Sequence, residues 1–288
     1  MQNMKYILKA FIMFLIALVS IWGQAQSQKF YYELEFKLDS LQKEPYKENY
    51  VLESDKDYTK FYNLNFYELD STNKKFNETS QISLPMGVYS LLKRKKNSDV
   101  NINYVFVGSH YYSFMTEDKI TWELTNEVKL HDGYHLQKAI TKFGKRQWVA
   151  WFSKDVNINV GPYKFDGLPG LIFFLHDSNN NYSFKLLKST RSDNSIDTRD
   201  FLESNFGKKP IQVTAEKYLS LCINHYNNLY NDQMNIPDGQ WKIETQDGRL
   251  ISSKSQLRGL IESEQKILKN RNNPIDKNLI IPYKNANR

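Results

Sequence analysis

The chain has 288 residues, with 39 Lys and Arg against 32 Asp and Glu, and 14% of it is aromatic. That length supports one substantial core, and the single cysteine, Cys222, excludes an intramolecular disulfide. The formal charge of +7 is spread along the chain without a recognition motif, so nucleic acid is not an expected partner.

Residues 1–25 read as a signal peptide. Lys5 and Lys9 precede an apolar run over residues 10–22, and Gly23 and Ala25 supply the small residues ahead of a cleavage point at Gln26. The run is shorter than the roughly 20 apolar residues a spanning helix needs; an uncleaved anchor is the alternative. Loss of Lys5 and Lys9 lowers the charge from +7 to +5. No cysteine lies near the cleavage point, so no N-terminal lipid anchor is expected, and no later segment could span a membrane. Residues 26–288 then read as a single exported domain, periplasmic or secreted.

Along that domain, residues 30–39 alternate. Phe30, Tyr32, Leu34, Phe36 and Leu38 face inward, while Glu33, Glu35, Lys37 and Asp39 face water. Residues 43–57 read as polar and irregular, residues 58–69 as a strand and residues 71–80 as a polar turn. Lys93, Arg94, Lys95 and Lys96 read as a solvated turn, with an anionic-lipid or polyanion patch as the sharper alternative. Residues 100–107 and 111–115 form one expected hairpin, and residues 121–130 and 134–142 another. Residues 147–153 carry apolar side chains on both faces: Val149 and Trp151 on one, Trp148, Ala150 and Phe152 on the other. This is the pattern of a central strand. Residues 171–175 and 182–186 read as a further hairpin.

From Thr214, a predicted N-cap, the period becomes helical through Tyr218, Leu221, Cys222, His225 and Leu229. A second helix carries Leu257, Leu260, Ile261, Ile267 and Leu268 and ends before Asn273-Pro274. Residues 285–288 are expected to fray. The expected fold is α+β and β-rich: a curved antiparallel sheet, a meander or half-barrel, with the C-terminal helices packed against it.

Residues 161–172 read GPYKFDGLPGLI. Leu168-Pro169-Gly170-Leu171 suits a type II turn, with Gly170 supplying φ > 0 at its third position. Together with Gly161, Pro162, Tyr163, Lys164, Phe165, Gly167, Leu171 and Ile172, and with Trp148 and Trp151 upstream, this stretch resembles the signature of the GLPGLI family, a group of secreted proteins from Bacteroidota. Residues 120–124, 133–139 and 148–152, and Asn273-Pro274-Ile275-Asp276 near the C-terminus, resemble that family's other recurring blocks. The resemblance implies secretion and frequent encoding beside TonB-dependent outer-membrane receptors; it implies no established enzymatic activity. Many members carry a cysteine where this chain has Leu136, so no thiol role at that position carries over.

Chemistry is sparsely signalled. His131 and His135 flank Asp132-Gly133; on a helix their spacing would suit zinc, but on a strand they stand about 13 Å apart. His176-Asp177 reads as turn material, His225 as a core histidine and Cys222 as an inert buried thiol. No nucleophile elbow and no phosphate-cradling glycine loop is present. No catalytic, cofactor-binding or metal-binding residue is therefore assigned. The loop at 161–170 has two readings: a binding ledge exposing Tyr163, Lys164, Phe165 and Asp166, or a corner whose aromatics plug the core. The expected function is a non-enzymatic binding or accessory protein, working with an outer-membrane receptor or another envelope protein. The alternative is a peptidase-like hydrolase whose site is assembled from distant residues.

Overall fold

The structure, a computed structural model, describes residues 27–76, 91–192, 195–199, 202–205, 207–245 and 247–283. The signal-peptide reading, most of the polar turn after residue 76 and the fraying end lie outside these residues.

The first strand, β1 (Ser27–Phe36), follows the sequence rule. Phe30, Tyr32, Leu34 and Phe36 are all buried on one face. At about 1.5–3 kcal/mol per buried large apolar side chain, this strand is a major contributor to the core. Eleven more strands join it in one open sheet: β2 (Tyr46–Ser54), β3 (Tyr58–Asn63), β4 (Leu91–Lys95), β5 (Val100–Val107), β6 (His110–Glu117), β7 (Glu123–His131), β8 (Tyr134–Phe143), β9 (Arg146–Ser153), β10 (Leu171–Asp177), β11 (Tyr182–Ser192) and β12 (Ile211–Val213). Their order is β12-β6-β5-β4-β3-β2-β1-β11-β10-β9-β8-β7. Two antiparallel meanders, β1–β6 and β7–β11, are thus stitched together by β1 pairing with β11, while β12 adds in parallel to β6. The sheet, open and not closed into a barrel, carries one continuous inner core: Phe114 and Val107 from one meander and Trp148, Ala150 and Phe184 from the other belong to the same cluster.

Three elements depart from the sequence reading. Residues 46–54 form β2, because polar Glu53 and Ser54 are buried and held by partners: Glu53 accepts from Ser27 Oγ (2.8 Å) and from the Ile196 amide (2.8 Å). Residues 64–76 form helix α1 (Leu64–Phe76), started by Asn63, whose side chain accepts the Phe66 amide at 3.0 Å. The basic run at 93–96 is not a solvated turn. Lys93 pairs with Glu203 at 2.7 Å, Arg94 is buried against Asp166 at 3.0 Å, and Lys96 Nζ donates to Ser54 Oγ at 2.5 Å.

Helix α2 (Ala215–Asn227) begins at Thr214, whose hydroxyl accepts the Lys217 amide. It packs on the inner face, with Tyr218 stacked on Phe114 at 4.8 Å. The short helix α3 (Asn231–Met234), the hairpin β13 (Ile243–Glu244) and β14 (Leu250–Ile251), and helix α4 (Lys254–Asn270) share a satellite core of Trp241, Ile251 and Leu257. A further core lies on the outer face of the first meander, where Val51, Tyr62, Leu91, Tyr104, Tyr111 and Leu202 meet under α1 and residues 196–199 and 202–204.

Candidate functional site

The connection from β9 to β10, residues 154–170, crosses the inner face and reaches the other meander. The carbonyl of Pro162 accepts the Phe165 amide at 3.1 Å, closing a turn in which Tyr163 takes φ +57°. That turn drives Phe165 into the core, with ring centroids 4.5 Å from Trp148 and 5.4 Å from Phe143. Gly161 permits it: a Cβ there would lie 2.1 Å from the Phe165 carbonyl oxygen. Pro162, Tyr163, Lys164, Phe165, Leu168, Leu171 and Ile172 are all buried.

Lys164 is fully buried. Its Nζ lies 2.7 Å from Asp118 Oδ2 and 2.7 Å from Thr116 Oγ1, both at the end of β6. Burial lowers its pKa, while the nearby Asp118 carboxylate works in the opposite direction. Asp118 also accepts from Asn101 Nδ2 at 3.1 Å and Thr116 Oγ1 at 2.5 Å. Asp166 pairs with Arg94 and has its pKa raised by burial against that attraction. Its carbonyl takes the Trp122 indole N–H at 2.7 Å. Of the two readings of this loop, the geometry is that of the corner. Tyr163, Lys164 and Phe165 offer no exposed ledge, and two ion pairs fasten the second meander to the first.

Gly170 is required for a reason other than the expected turn. Its φ of +159° is far from the type II value of about +80°. What it needs is space: a Cβ there would sit 2.0 Å from the Ser153 carbonyl oxygen. The left-handed conformation belongs to Gly167, at φ +83°. Pro169 is exposed.

A second fastening uses the Asn273-Pro274-Ile275-Asp276 element. Arg146, on β9, donates to Asp177 (2.9 Å), to Asn273 Oδ1 (2.5 Å) and to the carbonyls of Pro274 and Ile275. Asn273 donates onward to the Lys37 carbonyl at 2.7 Å. Asp177 accepts the amides of Asn181 and Tyr182, which fixes the β10–β11 turn.

The sequence-flagged histidines do not converge. His131 lies edge-on to Phe174 (4.8 Å), whereas His135 approaches Asp155 at 3.9 Å. His176 Nδ1 sits 3.2 Å from the Asp177 carbonyl. His225 packs on Gly108, and burial lowers its pKa. Cys222 is buried, and burial pushes its thiol up to about 12.

A further feature is the outer face of β7–β10. Trp151 pairs across strands with Phe174 and with Lys138, so these side chains share that face. Lys129 Nζ lies 4.2 Å above the Trp151 ring and 4.7 Å above that of Phe174. Trp151, Phe174, Val149 and Ile140 stay partly exposed. The sequence marked Trp151 through the two-sided apolar pattern of its strand. It carried no signal for Lys129, which comes from a different hairpin.

A family model described as a protein of unknown function (Porph_ging) matches residues 111–174, from β6 through the corner loop into β10. No curated protein matches. Among solved structures, PNGF-II in the C2 space group is similar at 16% identity and a TM-score of 0.50, over 70% of this chain and 34% of that one. PNGF-II in the P21 space group is similar at 14% identity and a TM-score of 0.49, over the same shares. The chain spans about a third of the length of PNGF-II, and the first likeness concerns the fold alone.

Proposed function

We propose that this is an exported protein of the GLPGLI type whose task is binding: an accessory protein of the cell envelope that works with an outer-membrane receptor. The observation that supports binding over catalysis is the partly exposed aromatic and cationic face of β7–β10. The ionisable groups at the signature loop are, by contrast, paired: Lys164, fully buried, with Asp118, and Asp166, partly buried, with Arg94. Export is supported by the leader pattern of residues 1–25. Among the described residues no helix is long and apolar enough to cross a membrane.

Fractionation of the native host with N-terminal sequencing tests the location. The mature chain is expected to begin near Gln26 in the periplasmic or secreted fraction, and a Met1 start in membranes overturns it. Affinity capture of the mature chain from native envelopes tests the accessory role. The rival reading, a secreted hydrolase, is tested first at an open cavity. The cavity, of about 560 Å³, lies where β1 begins and is lined in part by Gln28, Tyr134, Asp155 and Arg191. Turnover of peptide or ester substrates by the purified chain, lost in Asp155→Asn, would decide for that reading.

A further inference from the structure

We propose that the partly exposed outer face of β7–β10 docks an acidic segment of a partner protein, whose apolar side chains cover Trp151 and Phe174 and whose carboxylate meets Lys129. The inference rests on the binding role proposed above and assigns it a surface and a partner chemistry.

The two halves of the sheet are finished differently on this side. The outer face of the first meander is covered in large part by α1 and residues 196–199 and 202–204, with Tyr62, Leu91 and Leu202 almost completely buried. On the second meander the equivalent face ends at side chains that remain partly open to solvent: Ile140, Val149, Trp151 and Phe174. Apolar side chains left partly open side by side on one sheet face mark a candidate contact surface.

Lys129 gives the patch its sign. Its ammonium is drawn over two rings, and among the described residues no carboxylate stands within 4.0 Å of it. Lys138, beside it on the same face, is paired with Glu127 at 2.7 Å. Burial lowers the pKa of Lys129, as expected of a cation partly stripped of water without a counter-charge. Lys185, across from Phe174 on the same face, has Glu33 as its other cross-strand neighbour, so Lys129 is the cation that sets the sign of the patch. A second copy of this chain, docked about a two-fold axis on this patch, would set the uncompensated Lys129 against its own image, a repulsive juxtaposition. A lipid surface would be met first by side chains that protrude. Those on β7, Val128 and Leu130, are 72% and 68% exposed and alternate with Lys129, so they leave from the opposite face. An acidic protein segment with apolar side chains satisfies both the charge and the rings.

The test uses the mature chain in its native host. A photo-reactive benzoylphenylalanine is placed at Val149, and separately at Met115, which is exposed on the outer face of the other meander. The expected result is an adduct from position 149 and none from 115. Mass spectrometry should find the linked peptide acidic. Its synthetic copy should bind the purified chain, with affinity falling on the order of tenfold in Lys129→Glu and in Trp151→Ala and the melting temperature unchanged. An adduct of twice the chain's own mass, a basic linked peptide, equal labelling from both positions, or Lys129-dependent sedimentation with phosphatidylglycerol vesicles in place of a protein adduct each overturns it. An adduct from 115 alone removes this face and leaves the binding role standing. Adducts from neither position, together with Asp155-dependent hydrolysis, remove the binding role itself.

Discussion

Replacing Lys164 by methionine keeps the length of the side chain and removes its charge. At a solvated position such a change costs within about 0.5 kcal/mol. Here the side chain is fully buried, and its Nζ is held at 2.7 Å by both Asp118 and Thr116. Breaking one side of a buried ion pair costs about 3–5 kcal/mol, because the other charge is left in a dry site. Asp118 would keep its hydrogen bonds from Asn101 and Thr116, which places Lys164→Met near the lower end, about 3 kcal/mol. Asp118→Asn strands the ammonium instead and is expected to cost about as much. The double variant removes both charges, so it should cost less than the sum of the singles by at least about 2 kcal/mol. Urea unfolding at constant m-value measures all three. Singles within 0.5 kcal/mol of the parent, or an additive double, would refute the fastening described for this loop.

Other expectations concern single positions. At Gly170, alanine, asparagine and valine should each cost at least about 2 kcal/mol, since the Cβ itself meets Ser153; a well-tolerated asparagine in thermal melts would restore the type II turn. At Gly167 asparagine should be milder than valine, because there the left-handed backbone is the constraint. Phe36→Asp puts an unpaired carboxylate among Tyr46 and Tyr182, and is expected to unfold the chain or send it to inclusion bodies; a soluble variant with an unchanged melt contradicts the strand's facing. Burial depresses the folded-state pKa of His225, so the unfolded chain takes up its proton first as pH falls below about 6.5. Stability should therefore be level above that pH and decline below it toward the folded-state pKa, and His225→Gln should lose part of the decline; equal slopes from pH 7.5 to 5 would contradict this.

What the sequence disclosed depended on how far away each residue's reason lay. β1 was legible because its alternation is self-contained. β2 and β4 were not, since Glu53 and Arg94 look solvated until Ile196 and Asp166 arrive from more than 70 residues downstream. α1 hid behind Asn63, whose capping role emerges only where β3 stops. At the corner loop, Gly170 was singled out for a left-handed turn that in fact belongs to Gly167, and the contacts that impose glycine at 161 and 170 were not visible. Lys164 looked like a surface residue because Asp118 and Thr116 stand more than 40 residues earlier. The outer-face shelf was half visible: the pattern around Trp151 was readable, and the cation above it was not.

The place of β1 in the middle of the sheet has a temporal consequence. β1 and β2 are neighbours in sequence and can close as a hairpin early, yet the other edge of β1 waits for β11, whose pairing residues begin at Tyr182. At roughly 5–20 residues per second of synthesis, that edge waits on the order of ten seconds. Asn273 arrives later still, and it reaches back to both Lys37 and Arg146. A nascent chain therefore carries a half-zipped sheet whose clasp is among its last parts to be made, and a chain cut short before Asn273 could collapse but never latch.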